Sequence, residues 1–327
     1  MQFRELGSTG IRVSEIGFGA WPIGGEMWGG QDDADSIAAL HRALDLGCNF
    51  FDTALSYGDG HSEKLIQQVM KERGVLNEVI IATKVPPKNS SWDPPLSMAI
   101  GEEFPADWII RCCERSLKHL GREWVDILQL HTWNPSWAKR VQWYEAMLRL
   151  KEQGKIRVIG ISVSAVRHDE ANPQIEKGRV ECIQVIHNIL DQSAEKTLFP
   201  LAGKEGVGIL SRVPLASGAL TGRFTRATKF PKGDWRNDRP DKNWVGEMVA
   251  QVEKIGFLTE DGTPLAHAAL KYCLASPMVS SVIPGIRNAR QAEANFSASD
   301  GNLLKVEAVE RLREMYRKHE IGALFYT

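Results

Sequence analysis

Short apolar runs alternate along the chain with stretches in which apolar residues recur every three or four positions. The runs are EIGFGAW (15–21), NFFDT (49–53), EVIIATK (78–84), VDILQLH (125–131), RVIGIS (157–162), CIQV (182–185), VGILSRV (207–213) and SSVIPG (280–285). Each is apolar at successive positions and rich in β-branched residues, as a strand buried on both faces of a parallel sheet must be. Between the runs, Ile37, Leu40, Ala43 and Leu44 form a helical stripe stopped by Gly47. Trp108, Ile109, Cys112, Leu117 and Leu120 form a second, stopped by Gly121, and Tyr144, Met147, Leu148 and Leu150 a third, stopped by Gly154. Strand followed by helix, repeated about eight times, predicts an α/β fold, a (β/α)8 TIM barrel in which residues 1–327 form one domain. A doubly wound sheet is the competitor, but it would carry a G-x-G-x-x-G turn after its first strand, and the sequence has none.

Two stretches fall outside the repeat. FRELGSTGIRVSEIGFG places a turn-rich STG between possible short strands and predicts a hairpin ahead of the barrel. The segment from about Ser217 to Asn243 is polar, basic and rich in Gly and Pro; a loop this long in a compact fold is expected to be a lid or binding loop, the alternative being a mobile surface insertion.

Composition narrows the function classes. The formal net charge is -1, with no basic stripe for nucleic acid. No stretch approaches the roughly 20 apolar residues that cross a bilayer, and the first residues lack the pattern of a signal peptide. The five cysteines (Cys48, Cys112, Cys113, Cys182, Cys273) have no metal-type spacing and read as buried thiols. A cytoplasmic location is expected.

In α/β barrels the chemistry sits at the C-terminal ends of the strands. There the sequence places Trp21, Asp52, Lys84, His131, Ser162, Gln184, Ser211 with Arg212, and Pro284 with Gly285. Taken singly, each has a bland alternative: a solvated strand end for Lys84, a surface imidazole for His131, a strand amide paired with a neighbour for Gln184. Together, Asp52, Lys84 and His131 project toward a common axis, and Tyr57, five residues beyond Asp52, hangs over the same mouth. A phenol with a reference pKa of about 10 becomes a better acid beside an ammonium, which Asp52 would hold charged. Such a group suits protonation of a carbonyl oxygen.

FFDTALSYGDGHSEKLI (50–66), IIATK (80–84), LQLH (128–131), GIS (160–162), PLASGALTG (214–222) and VIPGIRNARQAEAN (282–295) resemble, in order and over most of the chain, the motifs of the aldo-keto reductase family. The resemblance implies an NAD(P)H-dependent oxidoreductase, with Asp52, Tyr57, Lys84 and His131 as the catalytic tetrad and Tyr57 as proton donor to a small carbonyl substrate. It implies that Ser162 and Gln184 hold the nicotinamide carboxamide, and that Pro214, Leu215 and Ser217 lie in a loop around the pyrophosphate. Gly285, Arg287, Gln291 and Asn295 fall at the adenosine end, and Gly19, Ala20 and Trp21 border the cofactor from the first strand. Trp21, Trp28, Tyr57 and Trp133 are expected to wall the substrate pocket, while Trp92 and Trp137 are expected to be packing anchors.

Three positions depart from the family pattern. Val163 stands where many members have an asparagine that contacts the carboxamide, so one hydrogen bond is missing or supplied elsewhere. Arg212 replaces a tyrosine that stacks on the nicotinamide; it is expected to stack on the reduced ring or to turn to the pyrophosphate or the substrate. Gly285 replaces a lysine, leaving Arg287 to neutralise a 2′-phosphate, which favours NADPH with NADH as the alternative. The rival readings are the same apparatus run as an NAD(P)-dependent sugar or alcohol dehydrogenase, and a cofactor-sensing regulatory subunit, since potassium-channel β subunits resemble this family. A metal-dependent hydrolase is disfavoured, because the strand ends offer too few ligands.

Overall fold

The computed structural model describes residues 1–239, 241 and 243–322. Two short strands come first, β1 (Phe3–Glu5) and β2 (Arg12–Ser14), paired antiparallel as the STG turn predicts. Eight parallel strands follow: β3 (Phe18–Gly19), β4 (Phe50–Asp52), β5 (Ile80–Val85), β6 (Val125–Leu130), β7 (Ile156–Ser162), β8 (Cys182–Ile186), β9 (Gly208–Arg212) and β10 (Val279–Ile283). They are hydrogen-bonded in sequence order from β3 to β10, and each lies inside or within a residue of a predicted run. Parallel bridges Ile16–Val282 and Gly19–Gly285 close the ring between the first strand and the last. Gly19 is required there: a Cβ would sit 2.6 Å from the carbonyl oxygen of Pro284.

The crossovers are helical, as right-handed βαβ connections require. In chain order the helices are α1 (Asp33–Asp45), α2 (His61–Glu72), α3 (Ile100–Glu103), α4 (Ala106–Leu120), α5 (Gln142–Glu152), α6 (Asn172–Glu176), α7 (Leu198–Glu205), α8 (Trp244–Lys254), α9 (Leu265–Ala275), α10 (Ala289–Phe296) and α11 (Val306–Arg317). The three predicted stripes fall on α1, α4 and α5. Gly121 ends α4 in the left-handed conformation, whereas Gly47 and Gly154 lie one residue past the caps Leu46 and Gln153.

Two bodies of apolar side chains hold the fold. The larger lies between barrel and helices. The smaller fills the barrel: Phe50, Ala82, Ile127, Val158, Cys182, Leu210 and Ile283 point inward, and Leu6, Ile11 and Val13 of the hairpin seal them from below. Arg4 fixes that seal, donating to the carbonyls of Leu274 (2.8 Å), Ser276 (3.2 Å) and Val279 (3.0 Å). All five cysteines are buried free thiols. Among the described residues no helix is long and apolar enough to cross a membrane.

Candidate active site

Asp52 ends β4 and Lys84 lies one residue before the end of β5, so strand pairing delivers both to the upper end of the barrel. Lys84 Nζ donates to Asp52 Oδ1 at 2.7 Å and to the Thr53 carbonyl at 2.7 Å, and lies 3.3 Å from the Tyr57 hydroxyl. The lysine side chain has no exposed surface. Burial opposes its charge, but Asp52 and Tyr57 outweigh burial and hold the ammonium above the ordinary lysine range. Tyr57 reaches the site on the turn after β4. Its neighbour Gly58 has φ 62°, and a Cβ there would stand 2.2 Å from the Gly24 carbonyl oxygen. Burial raises the Tyr57 phenol; Lys84 pulls it down by charge and hydrogen bond, as the sequence led us to expect, but burial prevails. His131 follows β6, edge-on to Tyr57 at 5.6 Å between ring centroids, with its Nδ1 3.3 Å from the Ser56 hydroxyl. Burial, then Lys84 and Arg212, push the imidazole well below its usual range, so it is neutral. The four residues singled out as a tetrad therefore share one cluster.

Ser162 ends β7 and pairs in register with Gln184 of β8. The Gln184 amide donates to Asp52 Oδ2 at 2.7 Å, so Asp52 bridges Lys84 and Gln184. Val163 turns its side chain into the core, 1% exposed. Arg212 Nη2 donates to the Val163 carbonyl at 3.0 Å, and its charge reaches both Tyr57 and His131.

The loop after β9 is built on left-handed turns. Val213, Ala216, Ser217 and Gly218 all have positive φ (54°, 45°, 54° and 103°), and the Ala216 and Gly218 N–H groups donate within the loop, to the carbonyls of Val213 (3.0 Å) and Leu215 (2.9 Å). Arg236, beyond the loop, donates to the Ser217 carbonyl at 3.1 Å and to Asp234, which is buried. At the other end, a cleft is lined by Gly30, Gln31, Asp32, Asp35, Arg287, Asn288 and Gln291. Arg287 Nε donates to Gln31 Oε1 at 2.8 Å, its Nη2 donates to the Gly30 carbonyl, and its backbone N–H donates to Gln291 Oε1 at 2.9 Å. Asn295 is buried on α10. Amide and hydroxyl groups at the barrel mouth and the Arg287 guanidinium in this cleft are donors of the kinds a dinucleotide would use.

The aromatic wall differs from expectation in two places. Trp133 is fully buried, edge-on to Trp137 (5.7 Å) and Trp143 (5.2 Å), with its indole N–H donating to the Glu170 carbonyl. It has no surface for a ligand, and its place on the pocket wall is withdrawn. Trp92, expected to be an anchor, is instead 48% exposed and edge-on to His131 at 4.9 Å. Trp137 is the packing anchor expected, 1% exposed. Trp21 and Trp28 meet at 5.0 Å, and Trp21 stacks with Tyr57 at 6.3 Å. Trp235 completes the group, stacked on Trp21 at 5.9 Å. The sequence marked its loop for binding but offered no signal for that residue. Pro240 and Lys242 of the same loop lie outside the described residues.

A strand-end acid–base cluster on an eight-stranded barrel agrees with the comparisons. Residues 15–317 match the model of the aldo/keto reductase family. The chain belongs to that family. It is 32% identical over 298 residues to the aldo-keto reductase YhdN of Bacillus subtilis, covering 90% of this chain and 87% of that one. It is 28% identical over 317 residues to a probable voltage-gated potassium channel subunit beta of Arabidopsis thaliana, covering 92% of each. Among solved structures it resembles the glycerol dehydrogenase AKR11B4 from Gluconobacter oxydans, with a TM-score of 0.80, 27% identity and coverage of 99% and 98% of the two chains. This aldo/keto reductase is thus an oxidoreductase acting on carbonyl groups, in a family whose members use nicotinamide cofactors.

Proposed function

We propose that this aldo/keto reductase uses NADPH to reduce an aldehyde or ketone to an alcohol, with Tyr57 delivering the proton. The observation that carries the reading is the chain Gln184–Asp52–Lys84–Tyr57, hydrogen-bonded at 2.7, 2.7 and 3.3 Å, which ends beside a neutral His131. When bound, NADPH supplies a hydride to the carbonyl carbon. Tyr57, its phenol kept protonated by burial, gives its proton to the carbonyl oxygen, and the Lys84 ammonium stabilises the phenolate left behind. Asp52 keeps Lys84 charged and aimed. In the tautomer whose Nδ1 accepts from the Ser56 hydroxyl, the His131 Nε2–H would orient the carbonyl by hydrogen bond. Ser162 and Gln184 would hold the nicotinamide amide, and the 213–218 loop, with Pro214, Leu215 and Ser217, the diphosphate. Arg287, Gln291 and Asn295 would hold the adenosine end, and the Arg287 guanidinium supports NADPH over NADH. Trp21, Trp28, Trp92 and Trp235 would face a small carbonyl substrate.

The same groups run backward oxidise an alcohol, and the likeness to a glycerol dehydrogenase keeps that direction as the second reading. A titration with NADPH and NADH, followed by an aldehyde and ketone panel on wild type and Tyr57→Phe, tests the proposal. Tyr57→Phe should bind NADPH normally and lose at least about 100-fold in reduction rate; undiminished reduction would overturn the mechanism. A wild-type chain that binds NADPH and turns over no carbonyl would instead match a cofactor-sensing regulatory subunit, a reading kept open by its likeness to a probable voltage-gated potassium channel subunit beta.

A further inference from the structure

The Ser162–Ser164 segment lacks the asparagine that would grip a carboxamide, yet its backbone is fixed on three sides. The Val163 N–H donates to the Gln184 carbonyl at 3.0 Å, and the Val163 carbonyl accepts from Arg212 at 3.0 Å. From behind, the Ser164 N–H donates to Glu170 Oε1 at 2.5 Å. The Glu170 side chain is 1% exposed and takes its second contact from Arg167, whose Nε donates to Oε2 at 3.2 Å. Arg167 then reaches across the mouth, its Nη2 donating to Asp93 at 3.0 Å, next to Trp92. The Ser164 hydroxyl accepts from the N–H groups of Val166 and Arg167, closing the loop back on itself.

A buried carboxylate is costly unless something needs it. Support for Trp133 is not that need, because Trp133 donates to the backbone carbonyl of Glu170, which any residue would supply. The Glu170 side chain serves only Ser164 and Arg167 among its hydrogen bonds on the described residues. Burial pushes its carboxyl up to about 7, a sign that the environment tolerates rather than favours the charge.

We propose that Glu170 is a positioning residue for the nicotinamide end of the site, gripping the backbone beside Ser162 in place of the missing asparagine and, through Arg167 and Asp93, tying that segment to the loop that carries Trp92. The inference rests on the reading that the nicotinamide lies against Ser162 and Gln184. It predicts that disturbing Glu170 weakens recognition of the ring while sparing the adenosine end, which is built from other loops.

The test titrates full-length wild type, Glu170→Ala and Glu170→Gln with NADPH and with 2′-phospho-ADP-ribose, which is NADPH without its nicotinamide. Glu170→Ala should lose about tenfold in NADPH affinity and stay within about twofold of wild type for the truncated ligand. Glu170→Gln, whose amide oxygen still accepts from Ser164, should restore most of the loss. Equal losses for both ligands would mean a general structural role and overturn the proposal, as would unchanged NADPH affinity in a folded Glu170→Ala. Should that variant not fold, Arg167→Ala is the substitute, on a side chain one-third exposed. It should raise KM for 4-nitrobenzaldehyde severalfold with little change in kcat, and add nothing in a Trp92→Ala background; additive effects would overturn the coupling. A wild type that binds the truncated ligand and NADPH equally leaves dinucleotide binding standing and removes the inference. Binding of neither ligand removes both.

Discussion

Burial acts on Tyr57 and His131 through the same physics and leaves both uncharged, one as an acid and the other as a neutral donor. A phenol is neutral when protonated, so burial raises its pKa; an imidazole is neutral when deprotonated, so burial lowers its own. On the proposed mechanism reduction needs Tyr57 protonated, and neither group changes charge near neutrality. The rate of carbonyl reduction at saturating cofactor should therefore be level from roughly pH 6 to 9; a steep loss centred near pH 7 would contradict these assignments. Glu170 behaves differently. Its folded value of about 7 lies above the 4.5 of a free carboxyl, so the folded state binds the extra proton between those limits. Stability from this group is greatest below pH 4.5, declines as pH rises to about 7 and is level above, by up to about 3 kcal/mol. The melting temperature of Glu170→Gln relative to wild type should rise between pH 5 and pH 8, and the trend rather than the offset is the test. At this scale the sequence was most legible where chemistry and strand ends coincide, as with Asp52, Lys84 and His131. It failed for Trp92 and Trp133, because whether a loop tryptophan turns inward depends on which neighbouring loop packs over it. Trp133 is trapped between Trp137 and Trp143, while Thr132 holds the Trp92 backbone at the mouth through its hydroxyl.

The strands were legible as elements because burial on both faces imposes continuous apolar runs, and β6 has all six residues buried. What the pattern hides is polar residues inside those runs. Asp126, the second residue of β6, accepts the Ile81 N–H of β5 at 3.0 Å and pairs with Arg122 at 3.3 Å and Arg157 at 2.8 Å. Arg122 and Asp126 each keep only 1% of their side chain exposed. This network sits at the start of β6, the end of the barrel where conserved function is not expected and polar groups serve stability. Asp126→Ala would strand the buried Arg122 guanidinium and an amide of β5, and should cost about 3–5 kcal/mol in urea unfolding with kcat/KM unchanged for whatever fraction stays folded. Lys84 and Asp52 form the matching buried pair at the opposite end, where the same replacement would be felt in the chemistry. The loops were less legible than the strands. The 217–243 segment announced itself by composition, but the left-handed turns at its start, at Ala216 just before it and at Ser217, occur at residues with no intrinsic preference for them, so they follow from tertiary packing that a local pattern does not encode.

Across the whole molecule, the hairpin is the part whose role exceeds its size. Leu6, Ile11 and Val13 are at most 3% exposed and complete the interior of the barrel from below. Removing residues 2–14 should cost on the order of 5 kcal/mol or more, since each large side chain buried there contributes about 1.5–3 kcal/mol. Because typical domains are stable by only about 5–15 kcal/mol, the truncated chain should be aggregation-prone or bind a hydrophobic dye; a truncated protein with the wild-type melting temperature would show that the seal is dispensable.

The partner of this seal is a stretch of chain some 270 residues further on. Arg4 grips carbonyls of Leu274, Ser276 and Val279, and the bridges from Ile16 and Gly19 reach Val282 and Gly285. During synthesis Arg4 therefore waits for carbonyls made 270 to 275 residues later before its donors are satisfied. Until roughly residue 285 has emerged, seven strands can line up but the ring stays split, with its inner apolar faces reachable from the gap. Ring closure therefore needs contacts of long sequence separation, which form slowly, and the interval before closure is when a holding chaperone would matter most to the yield.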